Sequence, residues 1–186
     1  MATVLDVGQY IYEKLGNIDP WRLQKLTYYA ESWSLAWDGD SLFPEPFQAW
    51  ADGPVSHDLH REDKWNRTGL VIEGADPNRL TERQRIVIDH VLDFYGKMPR
   101  QDLIERTHRE TPWLTARGDL PEGAPSRRPI DRAVMRKTYA SMCQTQPWEV
   151  PLAPPPTATD WDGIGADQFE AELSRWQHTF DWLAVR

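Results

Sequence analysis

Four side chains in this sequence of 186 residues have the types that could share a metal ion or pass a proton: His57, His60, His108 and Glu110. His57 and His60 stand three apart in a stretch that reads as a short helix, the spacing that puts two imidazoles on one face. A metal-dependent hydrolase built on these four is therefore one reading. Against it, no third ligand lies at a fixed local spacing, and no nucleophile is placed beside a base. Cys143 follows Met142 at the end of a helix, where a thiol is inert. There is no Gly-rich phosphate loop, Gly-x-Ser-x-Gly elbow or His-Glu-x-x-His run. Residue types alone thus predict no metal, no cofactor and no catalytic residue.

The elements that position these residues are mostly helical. Val4, Val7, Ile11 and Leu15 recur at helical spacing before Gly16, which predicts a helix over 3–15. Asp19-Pro20 is a helix opening, with Asp as cap and Pro at the first position. The helix it opens carries Leu23, Leu26, Ala30, Trp33 and Trp37 along one face and ends near Gly39. Pro44 and Pro46 force extended backbone, and Asp52-Gly53-Pro54 is a turn. A two-stranded ribbon is expected to pair residues near 47–51 with 69–73, with Ser56 capping a short helix between them. Thr81 and Gln84 form a capping-box pattern for a helix to Tyr95 that buries Val87, Val91 and Phe94. Short helices are expected at about 100–109 and from Thr111-Pro112. A last helix, 130–142, has Ile130, Val134 and Met142 near one face.

Composition shifts at Pro147. Five of the fifteen prolines fall in 147–156, so residues 147–164 read as a semi-rigid linker after a domain spanning 1–146. Phe169, Leu173, Trp176, Phe180 and Leu183 then form an apolar stripe on a helix over 165–186. That helix either docks into a partner's groove or folds back on its own domain. The fold class expected is mainly α: a compact multi-helix domain with a small two-stranded β element, plus the C-terminal amphipathic helix.

Charge and cysteine usage bound the partners. Acidic residues number 29 against 21 basic, a net charge of −8, which disfavours nucleic acid, as does the absence of a helix-turn-helix segment. A DNA-binding autoregulator is the weaker alternative for that reason. One cysteine excludes a disulfide framework, and no apolar run approaches the ~18 residues of a membrane helix. The expectation is a cytoplasmic protein that contacts no membrane. A homo-oligomer is compatible with the sequence.

Four strings then fall in order. They are Arg22-Leu23-Gln24-Lys25-Leu26-Thr27-Tyr28-Tyr29-Ala30-Glu31-Ser32-Trp33, Leu42-Phe43-Pro44-Glu45-Pro46, Ala49-Trp50-Ala51-Asp52-Gly53-Pro54-Val55, and Thr107-His108-Arg109-Glu110-Thr111-Pro112-Trp113-Leu114-Thr115-Ala116-Arg117. Together they resemble the Panacea domain of SocA-like antitoxins, once described as phage-associated GepA proteins, over roughly residues 3–143. His57-Asp58-Leu59-His60 departs from the pattern, where the family often has an aromatic.

The resemblance implies a mostly helical domain that neutralises a protein toxin, usually encoded next door. It would do so by direct binding or by presenting the toxin to a cellular protease. It brings no established catalytic residues, so the chain is expected not to be an enzyme. Leu23, Leu26, Ala30 and Trp33 are explained by packing. The polar members Lys25, Asp52, His57, Thr107, His108, Glu110 and Arg117 are the expected partner contacts, joined by Trp176 and Trp182 of the tail. Thr107, His108 and Glu110 have a second reading, as caps for the helix that Pro112 opens.

Overall fold

Local signals start the first two helices. The Thr3 hydroxyl accepts from the Asp6 amide at 3.4 Å while the Asp6 carboxylate accepts from the Thr3 amide at 2.8 Å, a capping box that opens α1 (Val4–Leu15). The Asp19 carboxylate accepts from the amides of Trp21 and Arg22, both at 3.1 Å, and Pro20 has no amide to satisfy at the start of α2 (Pro20–Trp37). The structure, a computed structural model, describes residues 1–63 and 71–155. After α2 come β1 (Phe47–Trp50), β2 (Gly53–Ser56), α3 (His57–Asp63), α4 (Glu82–Tyr95), α5 (Arg100–Arg109), α6 (Thr111–Arg117) and α7 (Arg132–Thr145). Single 3-10 turns occur at Pro77–Arg79 and Pro147–Glu149. The fold is mainly α with one small β element. The helix expected over 165–186, with Trp176 and Trp182, lies outside the described residues.

α2 is the axis of the body, packed against α1, α4, α7 and β2. Leu23, Leu26, Ala30 and Trp33 are fully buried, as their spacing predicts, and Trp37 is half-buried. The opposite face is buried too, from Leu23 to Leu35. Its long polar side chains, Gln24, Lys25 and Glu31, are tolerated because each finds a partner far along the chain. Glu31, 1% exposed at its side chain, accepts from the Leu42 amide at 2.8 Å, the Ser41 hydroxyl at 2.6 Å and the Arg132 guanidinium at 2.9 Å.

Aromatic rings fill the space between α2, α4 and α7. Tyr29 stacks on Tyr95 with ring centres 4.0 Å apart and planes at 6°, and Tyr139 presents its edge to Tyr28, Tyr29 and Trp33. The Trp33 indole donates to the Tyr95 hydroxyl at 3.2 Å.

Two expectations are corrected. β1 pairs with β2, with Phe47 opposite Ser56 and Trp50 opposite Gly53, and not with residues 71–73 of the expected partner 69–73, whose first two residues lie outside the described residues. Ile72 is instead a buried plug, its amide held by the Gln9 carboxamide at 2.7 Å. On α7 the buried positions are Met135 and Tyr139, while Val134 and Met142 line a surface groove.

The capping box at Thr81 and Gln84 forms as expected, and α4 buries Val87 and Val91 together with Ile88, Leu92 and Tyr95. Phe94 is only half-buried. Past α7, Val150 joins the core, and the Leu152 carbonyl meets the His90 ring at 2.9 Å.

Candidate functional site

The hairpin β1–β2 lies on one face of α2, and polar side chains of that face hold it. Gln24 meets the Ser56 backbone twice, accepting from its amide at 2.8 Å and donating to its carbonyl at 3.4 Å. One position on, the Lys25 ammonium donates to the Pro54 carbonyl at 3.1 Å. Gly53 has φ of +105°, and a Cβ there would come within 2.7 Å of the Lys25 nitrogen and 3.0 Å of the Thr107 hydroxyl. The turn therefore closes on Lys25 and Thr107 only because position 53 is glycine. Lys25 is fully buried. Burial brings its ammonium down to about 7, opposed by the nearby Asp52 carboxylate and reinforced by the Arg100 charge.

α5 and α6 clamp the turn from the other side. The Trp113 indole donates to the Trp50 carbonyl at 2.9 Å, and the His108 ring stacks on Trp113 with centres 4.2 Å apart. Arg117 lies over the Trp113 ring at 5.1 Å and donates to the carbonyls of Ala49, Pro121 and Ala124, tying the loop after α6 to β1. Partial burial and the Lys25 charge push the His108 imidazolium below its ordinary value, while a hydrogen bond to the Asp52 backbone pulls it back. Asp52, His108, Trp113 and Arg117 border a cavity of about 450 Å³.

Glu110 belongs elsewhere. Its carboxylate sits among the core tyrosines, accepting from Tyr29 at 3.1 Å and Tyr139 at 2.5 Å. Burial pushes it up to about 7 against those two donors. Its side chain caps no helix, and the Thr107 hydroxyl donates back to the Ile104 carbonyl at 2.9 Å within α5.

The expected contact residues thus divide. Lys25, Thr107, Glu110 and Arg117 are buried, Asp52 is exposed, and His57 and His108 are half-buried. Lys25, Asp52, Thr107, His108 and Arg117 surround one turn. His57 opens α3, and Glu110 lies in the tyrosine core. His60 offers its ring to Trp50 at 5.0 Å. Among the described residues no three His, Cys, Asp or Glu side chains are placed to hold a metal ion.

Sequence reasoning missed Gln24, Trp50 and Trp113, which hold the same turn. The available signal was the pair Gln24-Lys25, polar inside an apolar helix.

Residues 23–114 match the family model of the antitoxin SocA-like Panacea domain. This segment is similar to a Panacea domain. The Panacea match spans just under half of the chain, from Leu23 on α2 to Leu114 on α6. It therefore contains the hairpin and the residues that clamp it, save Arg117, while α1 and α7 lie beyond it. No curated protein and no solved structure matches the chain. Among the described residues no helix is long and apolar enough to cross a membrane.

Proposed function

We propose that this chain is an antitoxin that neutralises a toxin from the adjacent gene by binding it directly. The observation that carries the reading is how the polar motif residues are used. Lys25 and Arg117 spend their hydrogen bonds holding a hairpin and its neighbouring loop in place, and Thr107 closes against the same turn. A rigid hairpin end that displays Asp52 beside half-buried His108 suits recognition of another protein's surface. On this reading the buried members act through the turn they shape, and the exposed ones touch the toxin. The measure is growth. Cells expressing the adjacent reading frame alone should arrest, and cells that also express this chain should grow. A neighbouring product that is harmless alone, or an arrest this chain does not relieve, would overturn the reading.

A further inference from the structure

Helix α2 carries Trp21 one turn before Lys25, on the face the hairpin covers, but the hairpin stops short of it. Two cavities of about 250 and 290 Å³ open there, and both are walled by Trp21, Trp50 and Val55. The walls are already in place. The Trp50 indole donates to Gln48 at 2.8 Å, its backbone carbonyl is held by Trp113, and His60 abuts its ring. Fixed aromatic walls lose little conformational freedom when a partner arrives.

The rim is charged against the run of the chain. Arg100 lies over the Trp21 ring at 4.4 Å, and Arg127 lines the second cavity. Both are exposed, and one carboxylate, Asp52, lines the same cavity. In a protein of net charge −8 this is a local excess of positive charge around an apolar slot.

We infer that the Trp21–Trp50 cleft is the toxin's docking site. It takes a segment of the toxin that presents one large apolar side chain flanked by carboxylates. The apolar side chain enters between the two tryptophans, and the carboxylates meet Arg100 and Arg127. This rests on the antitoxin reading and names the surface that reading requires.

The test titrates the purified adjacent-gene product with full-length chain, wild type, Trp21→Ala, Arg127→Glu and Lys137→Glu. Lys137 lines a separate groove on α7, of about 590 Å³. Trp21→Ala should weaken binding roughly tenfold or more, as loss of a buried aromatic anchor does. Arg127→Glu, on an exposed loop and without effect on the fold, should weaken it by a similar factor and flatten its salt dependence. Lys137→Glu should bind as wild type. If Trp21→Ala fails to fold, as seen by circular dichroism, Arg127→Glu decides alone. Wild-type affinity for Arg127→Glu, loss confined to Lys137→Glu, or a dimer of this chain that occupies the cleft would overturn the docking site and leave the antitoxin reading standing. Wild type that does not bind at all would overturn both.

Discussion

The nitrogen of Lys25 occupies the place a side chain on Gly53 would need: a Cβ at that glycine would lie 2.7 Å from it. Two stretches nearly thirty residues apart are thereby made mutually dependent. The lysine requires a bare backbone above it, and the turn requires a donor beneath the Pro54 carbonyl.

Gly53→Ala should be strongly destabilising. The substitution meets both an unfavourable positive φ and two buried polar atoms, one of them on the otherwise flexible lysine. A loss of about 2 kcal/mol or more is expected from strain and displacement combined. Urea unfolding followed by circular dichroism measures it, and an unchanged midpoint would contradict the packing described.

Lys25 should make stability rise with pH in a window set by its shift. Its ammonium falls from an ordinary 10.5 to about 7 in the folded chain. Between those values the unfolded chain holds more protons, so folding gains by up to about 1.4 kcal/mol per pH unit. Below about 7 the full cost of the buried charge is present. Lys25→Met removes the effect, so wild type should gain on the variant from pH 7 to 10. A constant difference across that range would show that Lys25 is not buried as described.

Glu110 should act with the opposite sign. Its carboxyl rises from 4.5 to about 7 on folding, so the folded chain holds more protons between those values. Wild type should therefore lose stability relative to Glu110→Gln as pH climbs from 4.5 to 7. Glu110→Ala strips two tyrosine hydroxyls of their acceptor and should cost about 2–4 kcal/mol at pH 5, a cost that shrinks as pH climbs because this variant lacks the same titration. Thermal unfolding of the three proteins at pH 5 and pH 8 separates these effects.

Arg117→Lys should loosen the loop from Gly118 to Pro129 although charge is kept. One guanidinium reaches Ala49, Pro121 and Ala124 together, a fork that an ammonium does not reproduce. Hydrogen exchange should speed up at the amides of Ala49 and Ala124, both now bonded, with little change in α4. Unaltered exchange in the loop would refute the clamp.

Local signals in the sequence were sufficient where the physics is local. Asp19-Pro20 and the Thr81–Gln84 box each close within one helical turn, and both helices begin where those residues place them. The hairpin was harder, because Pro54 reads as a strand breaker. Its carbonyl points to Lys25, away from β1, so its missing amide faces the same way and leaves no gap in the ladder. The polar side of α2 was least legible. Gln24, Lys25 and Glu31 read as surface by type and are buried by partners 29 to 101 positions away. The motif strings did mark the turn-holding residues, without separating those that support the turn from those that face solvent.

Direct neutralisation is the central claim, and it is tested most plainly without any cell. The purified adjacent-gene product, assayed for its own growth-arresting activity in an extract cleared of proteases, is titrated with this chain. The account predicts loss of activity that is complete near stoichiometric addition, with the toxin intact at the end. Full toxin activity in tenfold excess of this chain would contradict it.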